Sequence, residues 1–146
     1  MRIKYEGRTI ADDMVDGCTG IADKGTAVKA IRAVCRYFGG TNIYIPVRTV
    51  NRISADALLG VLADAVGDRE AELILEKITR LFGGGCVYIP FEKRAFKREI
   101  ALEIYESCYG KEKFREFIHK YSISFSQVYS LWKMGRKYKL EGEAKL

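Results

Sequence analysis

One nine-residue pattern occurs twice in this chain, and it limits the fold more than any other feature. Residues 38–46 read Phe-Gly-Gly-Thr-Asn-Ile-Tyr-Ile-Pro and residues 82–90 read Phe-Gly-Gly-Gly-Cys-Val-Tyr-Ile-Pro, an offset of 44. The offset holds upstream, where Arg8/Arg52, Ala11/Ala55, Asp12/Asp56, Ala27/Ala71 and Arg36/Arg80 are identical; with the pattern itself, eleven of the thirty-nine positions from 8 to 46 match. Met14/Leu58, Val15/Leu59, Ile31/Leu75 and Val34/Ile78 are conservative pairs. Two copies are too few for a solenoid, so the pattern predicts a duplicated module, with copies at about 8–47 and 52–91. Each copy reads helix, helix, Gly-Gly, strand, proline. Gly-Gly stops the second helix because glycine enters the left-handed region at little cost. Ile43-Tyr44-Ile45 and Val87-Tyr88-Ile89 are strand sequences, and Pro46 and Pro90 end them because proline donates no ladder hydrogen bond. So short a strand needs a partner. The expectation is antiparallel pairing of Ile43–Ile45 with Val87–Ile89 inside one chain, about a pseudo-two-fold. Like-with-like pairing between two chains is the alternative, so the chain is either a homodimer or an intrachain pseudo-dimer.

The expected helices of the first copy run from Ile10 to Ala22, capped by Thr9, and from Ala27 to Phe38 after a break at Lys24-Gly25-Thr26. In the second copy Ser54 caps a helix through Val66, and Gly67-Asp68 divides it from a helix ending at Phe82. After Pro90 nothing is repeated. A helix is expected over Ala95–Cys108, a shorter one over Lys111–Lys120, a turn at Tyr121-Ser122-Ile123, and a last helix ending near Lys137. Ser124 and Gln127 form a capping box at its start. Leu140–Leu146 reads as a frayed polar end. The fold class is thus mainly α with short β-strands: a duplicated helix-helix-strand module over 1–91, followed by a helix-turn-helix domain over 92–146. Phe117, Ile123, Val128 and Leu131 fall where the two helices of such a motif pack.

Charge divides along the same line. Residues 1–90 carry 12 basic and 11 acidic side chains and residues 91–146 carry 13 and 8, so five of the six net positive charges belong to the single-copy part. That excess suits a polyanion, double-stranded DNA above all; a solvated basic surface is the plain alternative. On the last helix, Ser124, Ser126, Gln127, Tyr129, Ser130 and Lys133 are the candidates for base and groove contacts. Arg136 and Lys137 suit phosphates. Capping alone would also explain Ser124 and Gln127.

Other chemistry finds no support. Four cysteines, at 18, 35, 86 and 108, have no zinc spacing and one histidine, His119, accompanies them, so no metal is expected. Cys18 and Cys35 lie on apolar helix faces as small hydrophobes, which predicts a reduced, cytoplasmic protein. No apolar run is long enough to cross a membrane. Phe-Gly-Gly-Gly is not a phosphate loop, because helix precedes and strand follows. No nucleophile with a base and no acid/base pair stands out, so neither an enzyme nor a cofactor is expected.

Gly83-Gly84 and Tyr88-Ile89-Pro90, with the stretch His119-Lys120-Tyr121-Ser122-Ile123-Ser124 followed by Val128-Tyr129, resemble the Mor (middle operon regulator) transcription activators of Mu-like phages and prophages. The resemblance covers about Ser54 to Lys137. It implies a dimerisation domain whose strand pairs across a two-fold axis, a helix-turn-helix reading a dyad-symmetric promoter, recruitment of RNA polymerase, and approach of strand residues such as Tyr88 to DNA. The chain departs from the family in two respects: Ser122 stands where the turn commonly has glycine, and the dimerisation module is doubled while the reading head is single. The expected function is a sequence-specific DNA-binding regulator, an activator of a phage or prophage operon. The rival is a structural or interaction module that keeps the fold without specific DNA binding.

Overall fold

The computed structural model describes residues 8–47, 53–107 and 111–144. They form eight helices and one two-stranded antiparallel sheet. The chain divides into two compact units, residues 1–95 and 96–146.

In the first unit the elements are α1 (Ile10–Gly17), α2 (Lys24–Phe38), β1 (Thr41–Ile45), α3 (Ile53–Val66), α4 (Asp68–Phe82), β2 (Gly85–Ile89) and α5 (Glu92–Ala95). Thr9 caps α1: its hydroxyl accepts from the Ala11 amide, and Asp12 reaches back to the Thr9 amide at 2.7 Å. α1 ends at Gly17, well short of the expected Ala22. The backbone turns through Cys18–Ala22, where Ile21 and Ala22 both donate to the Cys18 carbonyl. α2 begins at Lys24 rather than Ala27, because the Asp23 carboxylate accepts from Thr26 and caps the helix. Those bonds hold the Asp23 carboxyl below its ordinary pKa. Gly25 therefore sits inside a helix. The start of α3 at Ile53 places Ser54 within the helix, and its side chain lies outside the described residues.

The sheet has one register: Thr41 opposite Ile89, Asn42 opposite Tyr88, Ile43 opposite Val87, Tyr44 opposite Cys86 and Ile45 opposite Gly85. Positions 44 apart in sequence, Ile43 and Val87, face each other at its centre. The ladder closes alike at both ends, with Gly40 donating to the Ile89 carbonyl at 2.7 Å and Gly84 to the Ile45 carbonyl at 2.7 Å. Ile45 and Ile89 are buried, Ile43 and Val87 half-buried, and Tyr44 and Tyr88 exposed on the opposite face. Burial recurs at the same spacing in the helices. Ala11 and Ala55, Met14 and Leu58, Cys18 and Leu62, Ala30 and Ile74, Ile31 and Leu75, and Val34 and Ile78 are all buried. α2 packs on α3 and α1 on α4, so the helices of residues 8–47 share one core with those of residues 53–91.

The two glycines of each Gly-Gly have different duties. Gly40 and Gly84 have φ of 82° and 94°, in the left-handed region. Gly39 and Gly83 have φ of −55° and −65°, open to any residue. Space decides the latter two. A β-carbon on Gly39 would stand 2.3 Å from the Cys35 carbonyl oxygen and 3.0 Å from Phe91 Cα. On Gly83 it would stand 2.2 Å from the Thr79 oxygen and 2.7 Å from the Pro46 oxygen.

The second unit holds α6 (Lys97–Glu106), α7 (Lys111–Tyr121) and α8 (Phe125–Ala144). The helix expected over Ala95–Cys108 is thus divided at Phe96 into α5 and α6, and Cys108 lies outside the described residues. α8 runs through Ala144, past the expected end near Lys137, so residues 140–144 are helical rather than part of a frayed end. Ile100, Ala101, Ile104, Phe114, Phe117, Tyr121, Ile123, Val128 and Leu131 make its core. α8 lies close on α6 because Gly135 faces the Ala101 backbone; a β-carbon there would come within 2.1 Å of the Ala101 carbonyl oxygen.

Candidate nucleic-acid interface

The joint between α7 and α8 is a tight turn over Ser122, Ile123 and Ser124. Ile123 N–H bonds the Ile118 carbonyl at 3.2 Å, and both side chains belong to the same apolar cluster. This is the six-to-one bond of a Schellman ending, whose first residue past the helix adopts the left-handed conformation. Ser122 occupies that position with φ of 52°. Glycine would reach it without the roughly 1 kcal/mol that an L side chain costs there, which gives the missing turn glycine a physical meaning: the turn keeps its geometry and loses some stability.

A capping box starts α8. Gln127 N–H donates to Ser124 Oγ at 3.2 Å, and Ser124 N–H donates to Gln127 Oε1 at 2.8 Å. Both residues are exposed. The cap engages one lone pair of Gln127 Oε1, leaving the second lone pair and the amide N–H groups open to a base edge. Among the sequence candidates, Ser124 and Gln127 are therefore brought together as cap partners.

Ser126, Tyr129, Ser130, Lys133, Arg136 and Lys137 are all exposed. Their spacing of three and four residues puts them along one side of α8, while Val128, Leu131 and Gly135 are buried on the other. Lys133 Nζ lies 4.9 Å from the Tyr129 ring centroid, and the Tyr129 ring stacks against Trp132 at 6.3 Å. Trp132, half-buried, also meets Tyr105 of α6 at 5.6 Å. These contacts fix the middle of the exposed face. Phe125, which the sequence did not single out, is the first residue of α8 and 55% exposed, with its ring 5.8 Å from Phe114. Its signal was its place directly after the cap serine. An exposed aromatic edge there suits a thymine methyl group.

The polar framework behind this face is set by α6. Glu103 accepts from Lys120 Nζ and from the Tyr121 hydroxyl, each at 2.7 Å, tying the end of α7 to α6. The same hydrogen bond raises the Lys120 pKa, so the amine stays cationic throughout the neutral range. Lys139 pairs with Glu106 at 3.1 Å, an exposed contact between a later turn of α8 and α6.

Among the described residues no group of three His, Cys, Asp or Glu could hold a metal ion, and no helix is long and apolar enough to cross a membrane. Cys18 and Cys35 are buried, and burial, aided by the carboxylates of Glu92 and Asp12, pushes the Cys35 thiol up to about 12. It is an inert apolar side chain at neutral pH.

Residues 51–144 match a family of transcription activators, a range that takes in α3, α4, β2 and everything through the end of α8. That family is the Mor transcription activator family, and the chain belongs to it. α1, α2 and β1 lie outside the matched range. No curated protein and no solved structure matches the chain.

Proposed function

We propose that the chain is a sequence-specific double-stranded-DNA-binding activator of a phage or prophage operon, acting in the cytoplasm and recruiting RNA polymerase. α7, the turn and α8 serve as its helix-turn-helix. The observation that carries this reading is the exposed face of α8 in a member of a transcription-activator family. That face joins two serines, a tyrosine and three cations on a helix whose start is capped and whose body is clamped to α6. Ser126, Tyr129, Ser130 and Lys133 meet base edges and the groove, with Phe125 beside them. Arg136 and Lys137 meet phosphates. Ser124 and Gln127 hold the helix start, and a Ser124 hydroxyl at a helix N-terminus also suits a phosphate oxygen. In unit one, residues 8–47 and 53–91 act as a duplicated module, an intrachain pseudo-dimer closed by β1 and β2.

Two substitutions separate the roles. Lys137→Ala weakens binding to all duplexes alike and lowers the slope of log affinity against log salt by about 1. Ser130→Ala leaves that slope unchanged and reduces discrimination at one base pair by roughly 1–3 kcal/mol. Fluorescence anisotropy titrations at several salt concentrations measure both. If neither variant changes affinity, slope or discrimination, α8 is not the reading helix.

A further inference from the structure

Arg98, in the first turn of α6, is exposed, and its guanidinium carbon lies 4.9 Å from the centroid of the Tyr138 ring on α8. At that distance a cation is held over an aromatic face. Among the described residues the guanidinium has no carboxylate partner. Glu99 and Glu141 follow Arg98 and Tyr138 closely in sequence, and neither pairs with it. Three lysines of the same unit are matched by carboxylates: Lys113 by Glu116, Lys120 by Glu103 and Lys139 by Glu106. Arg98 is instead fixed in place with its charge uncompensated.

The backbone explains the meeting. Arg98 and Tyr138 each lie three residues from the closest approach of the two helices, where Gly135 faces the Ala101 carbonyl. Tyr138 is half-buried against the core of the unit, so the ring is a fixed platform rather than a second mobile side chain. It also directly follows Arg136 and Lys137, both exposed. Folding thus sets an arginine from the first helix of the unit beside the basic turn of α8. A guanidinium held by its face keeps its N–H groups at the edge, where they fork onto two oxygens. Its side chain has already lost much of the freedom that binding would remove. The ligand with two anionic oxygens in that place is a backbone phosphate, next along the strand from those of Arg136 and Lys137.

We propose that Arg98 is a further phosphate contact of duplex DNA, supplied by α6, with Tyr138 as its positioning residue. The contact spreads backbone binding over two helices and carries no base preference. It rests on α8 as the reading helix.

Anisotropy titrations of the full chain at several salt concentrations test it, with a duplex from upstream of its own operon, a shuffled duplex, and Lys137→Ala run alongside. Arg98→Ala weakens binding to both duplexes by the same factor and lowers the slope of log affinity against log salt by about 0.9. An unchanged slope overturns the contact. If Lys137→Ala lowers the slope in the same series, the failure is that of Arg98 alone; if neither variant lowers it, the phosphate contacts of α8 fall with it. Tyr138→Leu weakens binding by about 2- to 5-fold when Arg98 is present and has no further effect once Arg98 is alanine. Tyr138→Phe, which keeps the ring face, binds like the wild type. Equal losses from Tyr138→Leu in both backgrounds, or a Tyr138→Phe variant as weak as Tyr138→Leu, overturn the positioning role.

Discussion

Gly135→Ala destabilises the second unit by roughly 3 kcal/mol, even though alanine is the better helix former. In an exposed helix the exchange would gain about 1 kcal/mol, since glycine loses more backbone freedom on folding. At Gly135 the added methyl would lie 2.1 Å from the Ala101 carbonyl oxygen, 2.7 Å from its carbon and 2.8 Å from Tyr105 Cβ. Two of these are backbone atoms of α6, which no rotamer change can move. α8 must shift outward, and the Trp132–Tyr105 contact and the Lys139–Glu106 pair loosen with it. The single tryptophan of the chain, Trp132, sits at this joint and reports on the second unit during denaturant unfolding. Gly60, on α3 with open space around it, is the control: Gly60→Ala raises stability by about 0.5–1 kcal/mol. A Gly135→Ala variant as stable as the wild type would show that α8 does not approach α6 so closely.

Gly39→Ala and Gly83→Ala each cost about 2–3 kcal/mol, and by similar amounts. Neither position needs positive φ, so ordinary conformational preference predicts little change. Contact with fixed backbone predicts the loss. Gly39 abuts the Cys35 oxygen, Phe91 Cα and the Pro90 oxygen, and Gly83 abuts the Thr79 oxygen, the Pro46 oxygen and Val47 Cα. Each glycine lets the segment leaving the opposite strand pass directly over a helix end. Circular-dichroism melts of the two variants check this. Equal losses fit two equivalent joints; a neutral Gly83→Ala beside a costly Gly39→Ala would show that the joints differ.

The broad plan was legible in the sequence because its signals are local. Apolar spacing fixes the helices, proline ends the strands, and Thr9 and the Ser124–Gln127 pair mark helix starts by their own side chains. What failed to show depends on residues distant in sequence or on competing local cues. Gly25 read as a break, whereas the Asp23 carboxylate two residues earlier caps a helix that passes through it. The polar stretch from Leu140 read as frayed, yet α8 continues to Ala144, and Lys139 just before that stretch pairs with Glu106 of α6. Glu92 drew no notice as one charge among many; only folding brings it under Arg32 and Arg36, residues 60 and 56 positions away. For the candidate interface, pattern identified the helix but could not tell capping from reading. Ser and Gln three residues apart serve both purposes in sequence, and in the structure both cap α8 while staying exposed.

A mobility-shift titration shows whether α8 reads duplex DNA. The full chain is titrated against a duplex from upstream of its own operon and against a shuffled duplex of equal length, both at physiological salt. The upstream duplex is retarded at concentrations at least about 10³-fold below those needed for the shuffled one. Equal affinity for the two duplexes, or no retardation of either, would contradict it.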